Sequence, residues 1–430
     1  MLKLLCRLLV LSGVFLCAPS SWAVLDLELT QGRVAATPIA FEAFQGDAKS
    51  QKIAASLEAI VKQDCQNSGE FRVYSSDTKQ PVLHWQQVGA TALVRAQVNA
   101  LSFGKYRVSL QLYGVYEQPG HPLTGLLSSE FITKTAGVRR LAHHLSDLIY
   151  EKLTGIPGDF STKIAYVAVT PSSHGKHYRL MVADQDGYNP QTLLSSNAPL
   201  MSPAWSPDNS ALAYVSFEGH HAQIYLQNLK TGKRQLISAA PGINGAPIFS
   251  PDGRSLIFVL SQAGQPGLYR YDRLTHVVQP VTQGWSINTE PDWSPDGKRV
   301  AFTSNRDGSP QIYEVDLSNG LVTRLSFEGG YNARARWLPD GKGFVFMHRD
   351  KDGFSIAKQD LPTGTVLLLT DPGINESPSV SPNGRMVVYT TRQGGHDTLA
   401  RVSSDGRVQS VLHQTTGDIR EPVWSHASKD

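Results

Sequence analysis

Four aspartates recur at a nearly constant interval in the second half of the chain, and repeated carboxylates could in principle act as acids or bases. Each stands in a Ser-Pro-Asp-Gly motif or a close variant of it. That motif is typical of a type I turn, because Ser favours the first position, Pro the second and Gly the fourth. Residues repeated once per structural unit also lie one unit apart, so they would not share a substrate. We therefore interpret them as turn residues: Asp208, Asp252, Asp296 and Asp340.

The remaining candidate chemical groups are a cysteine and two histidine pairs. Cys65 lies on the apolar face of a predicted helix, which favours a core residue over a reactive thiol. His143–His144 lies on a predicted helix, where adjacent side chains point in different directions, and His220–His221 lies in a predicted blade turn. Neither pair predicts a metal site. Serine-hydrolase elbow, zinc-protease, Walker and dinucleotide motifs do not occur in the sequence. We expect a protein that is not an enzyme and that uses no cofactor or metal.

Six copies of a short motif are spaced almost evenly through the second half of the chain. Their first residues are 44, 44, 44, 43 and 44 positions apart, at Pro203, Pro247, Pro291, Ala335, Pro378 and Pro422. Three further short β runs with polar turns follow each of the first five, which makes four strands per period, the size of a propeller blade. The aromatic residues of the motif are predicted to pack between blades: Trp205, Phe249, Trp293, Trp337 and Trp424.

The phase of the repeat predicts how the ring closes. The sixth motif has no β runs after it, and a unit that lacks its first strand begins at Lys163. A strand at Pro422–Trp424 would complete that unit and remove an open sheet edge. The predicted fold class is mainly β with an α+β N-terminal domain: a six-bladed β-propeller closed by pairing of the C-terminal strand with the first blade.

Residues 1–23 have the features of a cleavable signal peptide. Lys3 and Arg7 precede an apolar run, and Ser21-Trp22-Ala23 fits the small-x-small cleavage signal. We expect cleavage after Ala23 and secretion, with lipidation of Cys17 as the open alternative. Without this segment the chain carries 38 basic and 37 acidic residues, which gives no footprint for nucleic acid. We expect a monomer that is not embedded in a membrane.

Residues 24–156 have a different pattern and predict a separate α+β domain, followed by the propeller over residues 157–430. Lys49–Asn67 and Gly137–Thr154 each carry apolar residues at helical spacing. Between them lie four strand candidates, so we expect a mixed sheet covered by two helices. Those candidates are Phe71–Tyr74, Ala92–Val98, Tyr106–Leu112 and Glu130–Thr133.

Taken together, these features resemble the TolB family, the periplasmic propeller proteins of the Tol–Pal system of Gram-negative bacteria. The resemblance covers essentially the whole chain. It includes the segment Trp85–Val94, the domain order, the blade count and an Asn-x-x-Pro leader before the motif. Those leaders are Asn244-Gly-Ala-Pro247, Asn288-Thr-Glu-Pro291 and Asn375-Glu-Ser-Pro378, with Asn332-Ala-Arg-Ala335 as a variant without the proline.

The resemblance implies a propeller face that binds the lipoprotein Pal. The segments entering the inner strands converge on one mouth of the channel, so the residues just before each motif are expected to line it. An alternative is that the asparagines among them only cap turns. The predicted set is Asn244, Asn288, Glu290, Asn332, Arg334, Asn375, Glu376, Arg420 and Glu421.

A second binding surface implied by the resemblance is the N-terminal segment, which would engage the C-terminal domain of the inner-membrane protein TolA. Its alternating pattern suits addition of a strand to a partner sheet, although packing on its own domain is equally compatible. It comprises Val24, Leu25, Asp26, Leu27, Glu28 and Leu29. The expected function is a non-catalytic link between Pal and TolA that maintains outer-membrane integrity and invagination during cell division, with other outer-membrane lipoproteins as further partners. The alternative is a periplasmic propeller enzyme or sensor with a small ligand in the channel.

Overall fold

A computed structural model describes residues 36–116, 123–173, 175–412 and 417–427. The first part of these residues forms one mixed sheet of six strands. The strands are β1 (Thr37–Glu42), β2 (Gln45–Gly46), β3 (Phe71–Ser76), β4 (Ala92–Ala100), β5 (Lys105–Gly114) and β6 (Thr124–Lys134). Their order in the sheet is β3-β1-β4-β5-β6, and β2 pairs with β4. β1 runs parallel to β3 and β4, whereas β4, β5 and β6 are antiparallel.

Two long helices cover one face of this sheet. They are α1 (Gln51–Asn67) and α3 (Val138–Thr154), and their apolar faces share one core with the sheet. Cys65 is fully buried in that core, and burial raises the pKa of its thiol. Cys65 is therefore a core residue, as the helical pattern predicted.

The domain also contains a short helix that the sequence pattern did not indicate. This helix, α2 (Val82–Gln87), packs Trp85 against Ala40 and Leu93 on the opposite face of the sheet. The Trp85 indole N–H donates to Glu42 Oε1 at 3.1 Å. Six residues are too short for an amphipathic repeat to show in the sequence. Two short 3₁₀ turns, Ser102–Gly104 and Thr135–Gly137, complete the domain.

Six four-stranded antiparallel sheets follow, each one blade of a propeller. The first five use consecutive strands. The strands are, blade by blade, β10 (Leu200–Trp205), β11 (Ala211–Ser216), β12 (Gln223–Asn228) and β13 (Arg234–Ser238); β14 (Asn244–Phe249), β15 (Ser255–Leu260), β16 (Gly267–Asp272) and β17 (Val278–Pro280); β18 (Asn288–Trp293), β19 (Arg299–Ser304), β20 (Gln311–Asp316) and β21 (Val322–Arg324); β22 (Tyr331–Trp337), β23 (Gly343–Asp350), β24 (Gly353–Asp360) and β25 (Val366–Leu368); β26 (Asn375–Val380), β27 (Met386–Gln393), β28 (His396–Ser403) and β29 (Gln409–Val411).

The sixth blade joins the two ends of the propeller sequence. Its strands are β7 (Lys163–Ser172), β8 (Gly175–Asp184), β9 (Gln191–Ser196) and β30 (Asp418–Trp424), and β30 pairs antiparallel with β7. Trp424 donates its indole N–H to Thr162 Oγ1 at 2.7 Å, and the Lys163 N–H donates to Ser425 Oγ at 2.9 Å. The described residues thus form a closed ring of six blades.

The repeated aspartates hold turns, as the sequence predicted. Asp208 accepts the Ser206 hydroxyl at 2.6 Å and the Ser210 N–H at 3.1 Å. These hydrogen bonds, the first of them above all, lower the pKa of Asp208 to about 2. The aromatic residues of the motif are likewise buried between adjacent blades, for example Trp293 among side chains of the second and third blades. Both sets thus have a structural role in the blades.

Candidate functional site at the channel mouth

Each inner strand of the propeller begins with a β-bulge beside the central channel. The register with the next strand shifts at this point in all six blades, and one residue in each shift has a positive φ, between 44° and 57°. Bulges re-aim side chains, and strained non-glycine residues cluster at functional sites. All six line a mouth cavity of about 260 Å³: Ser202, Ala246, Glu290, Arg334, Ser377 and Glu421.

Arg334 is the centre of the charges in this ring. Its Nε lies 2.6 Å from Glu290 Oε1, its Nη2 lies 3.9 Å from Glu421 Oε1, and it also donates to Ser377. Burial alone would lower the pKa of Arg334, but the two glutamates raise it above its ordinary value. Glu290 also accepts the Thr303 hydroxyl at 2.9 Å. The ring is therefore a partly enclosed ion network with three blades contributing charges.

Exposed apolar side chains occur in or next to the loops that precede the inner strands, and two of them, Met201 and Ile243, line the mouth cavity. These loops lie at the same end of the propeller. Trp285 is 89% exposed and Phe327 is 71% exposed, and the others are about half exposed. The set comprises Met201, Ile243, Trp285, Ile287, Phe327 and Ile374. We call these six residues the apolar rim. A charged centre beside exposed apolar groups can bind a partner, and no His, Cys or Lys lines the mouth cavity in the described part of the chain.

The four predicted asparagines do not line the cavity. They are at most 5% exposed and hydrogen-bond the loop that precedes their own strand. Asn244, for example, accepts from Ser238 Oγ at 2.6 Å and donates to the Ala240 carbonyl at 2.6 Å. This is the turn-capping alternative that the sequence left open. The correction applies to Asn244, Asn288, Asn332 and Asn375.

The other predicted residues divide between the cavity and the surface around it. Glu290, Arg334 and Glu421 line the cavity, whereas Glu376 is exposed beside it. Arg420 turns outward and pairs with Asp397 at 3.0 Å. The predicted N-terminal segment, Val24, Leu25, Asp26, Leu27, Glu28 and Leu29, lies outside the described residues.

Sequence reasoning missed the apolar rim and half of the bulge ring. Ser202, Ala246 and Ser377 occupy the same position before the motif as Glu290, Arg334 and Glu421. Aligning the six repeats on this position would have found them. The rim has no such signal, because its residues stand at different offsets in loops of different sequence.

The opposite end of the channel holds a larger cavity, of about 480 Å³, lined mainly by the inter-blade aromatic residues and the turn prolines. Asp292 and Arg336 are the charged residues on its wall. Burial raises the pKa of Asp292 to about 6, although Arg336 and the Trp337 N–H, at 2.8 Å, oppose the rise. The wall of this cavity thus carries one enclosed carboxyl group, of Asp292, beside the guanidinium group of Arg336.

One further group brings together side chains that can bind metals, Asp64, His143 and Asp186, with ligand atoms within 4.8 Å of one another. Arg139 already pairs with Asp186, so a guanidinium neutralises one carboxylate and would repel a cation. We therefore interpret this group as an ion network. Searched over the described residues, the helices include none that is long and apolar enough to cross a membrane.

The fold defines a class: a six-bladed propeller joined to an α+β domain, with an ion network at one mouth of the channel. Residues 150–428 match the family model for the TolB beta propeller domain, and residues 25–120 match that for the TolB amino-terminal domain. The chain belongs to the TolB family.

Individual relatives support this assignment. The chain is 59% identical to the Tol-Pal system protein TolB of Coxiella burnetii over 418 residues, and this aligned region covers 95% of each chain. It is 56% identical over 405 residues to that of Legionella pneumophila strain Corby, covering 93% of this chain and 94% of the relative. The crystal structure of TolB from Acinetobacter baumannii superposes with a TM-score of 0.84 at 42% identity, covering 91% of this chain and 97% of that one.

Proposed function

We propose that the chain is a non-catalytic component of the Tol–Pal system in the periplasm, reached through a signal peptide cleaved after Ala23. In this role it would link the outer-membrane lipoprotein Pal to the inner-membrane protein TolA. The link would maintain outer-membrane integrity and invagination during cell division. Other outer-membrane lipoproteins would be further partners. Membership of the TolB family, whose relatives carry the name of this system, supports the proposal.

The observation that carries the Pal-binding proposal is the mouth itself. Exposed tryptophan and phenylalanine are the residue types that dominate binding energy in protein interfaces. Trp285 and Phe327 are exposed in the loops that lead into β18 and β22, the strands that carry Glu290 and Arg334. The preformed charged centre at the mouth gives specificity, whereas the apolar rim gives affinity. Glu376, exposed at the edge, would add a charge to the same surface.

For TolA, the proposal rests on the alternating pattern of Val24–Leu29. An extended segment of this kind would add a strand to an exposed sheet edge of the partner. The two partners would then bind at separate places, one on the propeller mouth and one on the N-terminal segment. Binding of both proteins at once is what a link between two membranes requires.

The first test is calorimetric titration of the mature chain with the soluble domain of a cognate Pal. We expect submicromolar binding, weakened at least tenfold, about 1.4 kcal/mol, by Trp285→Ala. Leu274→Ala is the matched control: Leu274 is also 89% exposed but lies in the β16–β17 turn, at the other end of the propeller from the β17–β18 loop that carries Trp285. Equal weakening by both variants would exclude the mouth as the site.

A second pair of variants tests the charged ring. Glu290→Lys should also weaken binding at least tenfold, because it places a cation against Arg334. Glu151→Lys makes the same change of charge on the exposed surface of α3 and should leave the affinity unchanged. If the wild-type chain gives neither heat nor a complex, the Pal-binding proposal fails. The channel would then be screened for a small ligand.

A further inference from the structure

A buried polar cluster joins the N-terminal domain to the propeller. His143 of α3 is 2% exposed and lies between two carboxylates from different elements. Its Nδ1 is 2.8 Å from Oδ2 of Asp64 on α1, and its Nε2 is 3.9 Å from Oδ2 of Asp186 in the β8–β9 turn. One imidazole thus faces a carboxylate of its own domain and a carboxylate of the propeller.

The hydrogen bonds around Asp64 determine which ring nitrogen carries a proton. Asp64 Oδ2 accepts the Ser146 hydroxyl at 2.7 Å as well as the bond from His143 Nδ1. Asp64 is therefore the acceptor, and Nδ1 carries a hydrogen. Nε2 is buried and has no hydrogen-bond partner. In a neutral ring, Nε2 would be an unpaired acceptor facing a carboxylate. In a protonated ring, it becomes a donor that can close the 3.9 Å gap to Asp186.

The charges that face His143 come from every element around it and are mostly negative. The propeller turn supplies Asp184 and Asp186, α1 supplies Asp64, and Asp147 of α3 and Asp159 of the linker are buried close by. The cations are Arg139 on α3, which pairs with both turn aspartates; Lys163, which pairs with Asp184; and Arg401 on β28. Burial raises the pKa of Asp147 to about 6 and that of Asp159 to about 7, so these two groups carry reduced negative charge near pH 6. Asp64 and Asp186 lie against the imidazole itself, and a proton on His143 can pair with both.

A direct polar chain also crosses the interface. Gln185 Nε2 lies 3.4 Å from Asp64 Oδ1, and Gln185 Oε1 accepts from Arg401 Nη1 at 2.7 Å. Arg401 is 3% exposed. The carboxylate that holds His143 is therefore in contact with the propeller on its other side. A change in the charge of His143 would therefore alter polar contacts in both domains.

We propose that His143 is a proton-controlled latch between the N-terminal domain and the propeller, closed when its imidazole is protonated and loosened when it is neutral. Burial would lower the pKa of His143, but Asp64 and Asp186 raise it above 6.5. The contribution of the latch is therefore complete below about pH 6.5 and is lost as the pH rises through the raised pKa.

The test is hydrogen exchange of the whole chain at pH 6 and pH 8.5, expressed as protection relative to the intrinsic rate at each pH. Protection of α3 and of Asp184–Tyr188 should fall at least threefold between the two values. His143→Gln should reduce this difference, whereas the part that comes from Asp147 and Asp159, whose pKa values are about 6 and about 7, should remain. His144→Gln is the matched control, because His144 is the next residue on α3 and packs against Phe131, away from the cluster. An equal reduction in both variants, or a reduction in neither, would overturn the latch.

A titration of the wild-type chain keeps the proposal testable if His143→Gln does not fold. The ring resonances of His143, followed by NMR, should titrate above pH 6.5. Asp186→Asn should move that midpoint down, because the ring then loses one of its two facing carboxylates. A wild-type midpoint below 6.5, or one that is unchanged in Asp186→Asn, would contradict the proposal.

Discussion

At the scale of single residues, backbone strain separates two kinds of position in the propeller. A left-handed backbone costs a non-glycine residue about 1–2 kcal/mol. The bulge ring accepts this cost at Glu290, Arg334 and Glu421, where the side chains make ion pairs in the mouth. The turns after the inner strands avoid it by using glycine at a φ near 70°, as at Gly253 and Gly297. The first of these turns is an exception, with Asn209 at a φ of 56°, and His220 and His276 also have a positive φ, so this strain occurs in outer turns as well as at the mouth.

Gly297→Ala tests this cost directly. Gly297 has φ of +69°, and an added Cβ would meet only Pro251, at ordinary contact distances of 3.8 Å and more. The penalty should therefore be the backbone term alone, about 1–2 kcal/mol of unfolding free energy, measured by urea titration. Gly330→Ala is the control, because Gly330 lacks a positive φ and has open space around it. A loss of less than about 0.5 kcal/mol at Gly297 would contradict the strain argument.

At the scale of elements, the closing strand β30 joins the two ends of the propeller sequence, whereas every other blade is built from consecutive strands. It pairs with β7, and Trp424 fills the core between β7 and the fifth blade. The Trp424 side chain is 4% exposed and its N–H is bonded to Thr162. Since each blade packs on two neighbours, an opening at this junction would expose apolar surface on both sides.

Trp424→Ala should consequently cost about 3–5 kcal/mol of unfolding free energy, through lost burial and the cavity left behind. Denaturant unfolding monitored by circular dichroism measures this. Trp285→Ala serves for comparison, because its side chain is 89% exposed and its removal should cost less than about 0.5 kcal/mol. Similar losses in the two variants would show that β30 does not hold the ring closed.

Repeats and periodic patterns made the blades and the long helices predictable from the sequence, whereas elements without such a pattern could not be predicted. A motif that recurs at 43 or 44 residues fixes the blade count, and the helical spacing in α1 and α3 is long enough to detect. The central strand β1 is buried on both faces over Ile39–Phe41, so it lacks the alternation that marks a half-buried strand. The role of Asn332 depends on Gln311 and His348, at 2.7 and 2.8 Å, and no local pattern reports such contacts.

At the scale of the whole molecule, the domain interface buries more ionisable groups than the channel does. Asp159, in the linker between the domains, is 5% exposed, and its Oδ2 has no hydrogen-bond partner. Burial raises the pKa of Asp159 to about 7, although a hydrogen bond from Ser381 opposes the rise. Burial likewise raises the pKa of Asp147 to about 6. Both groups therefore favour the folded state when they are protonated.

The sign of the resulting pH dependence follows from linkage. A carboxyl group whose pKa is raised from 3.8 in the unfolded chain to about 7 in the folded one does not lower the free energy of unfolding below pH 3.8. Its cost then grows as the pH rises, until it is complete above the folded pKa. The cost is on the order of a few kcal/mol, since each pKa unit corresponds to about 1.4 kcal/mol.

Asp159→Asn should remove this cost, because the amide is neutral at every pH and keeps the shape of the side chain. We expect the stability advantage of the variant over the wild type to be about 1–3 kcal/mol larger at pH 8 than at pH 5, because the cost of the ionised group is only partly developed at pH 5. Urea unfolding at the two pH values measures both differences, with Asp77→Asn, at an exposed position, as the control. A gain of the same size at both pH values would mean that packing, and not the charge of Asp159, limits the stability of the interface.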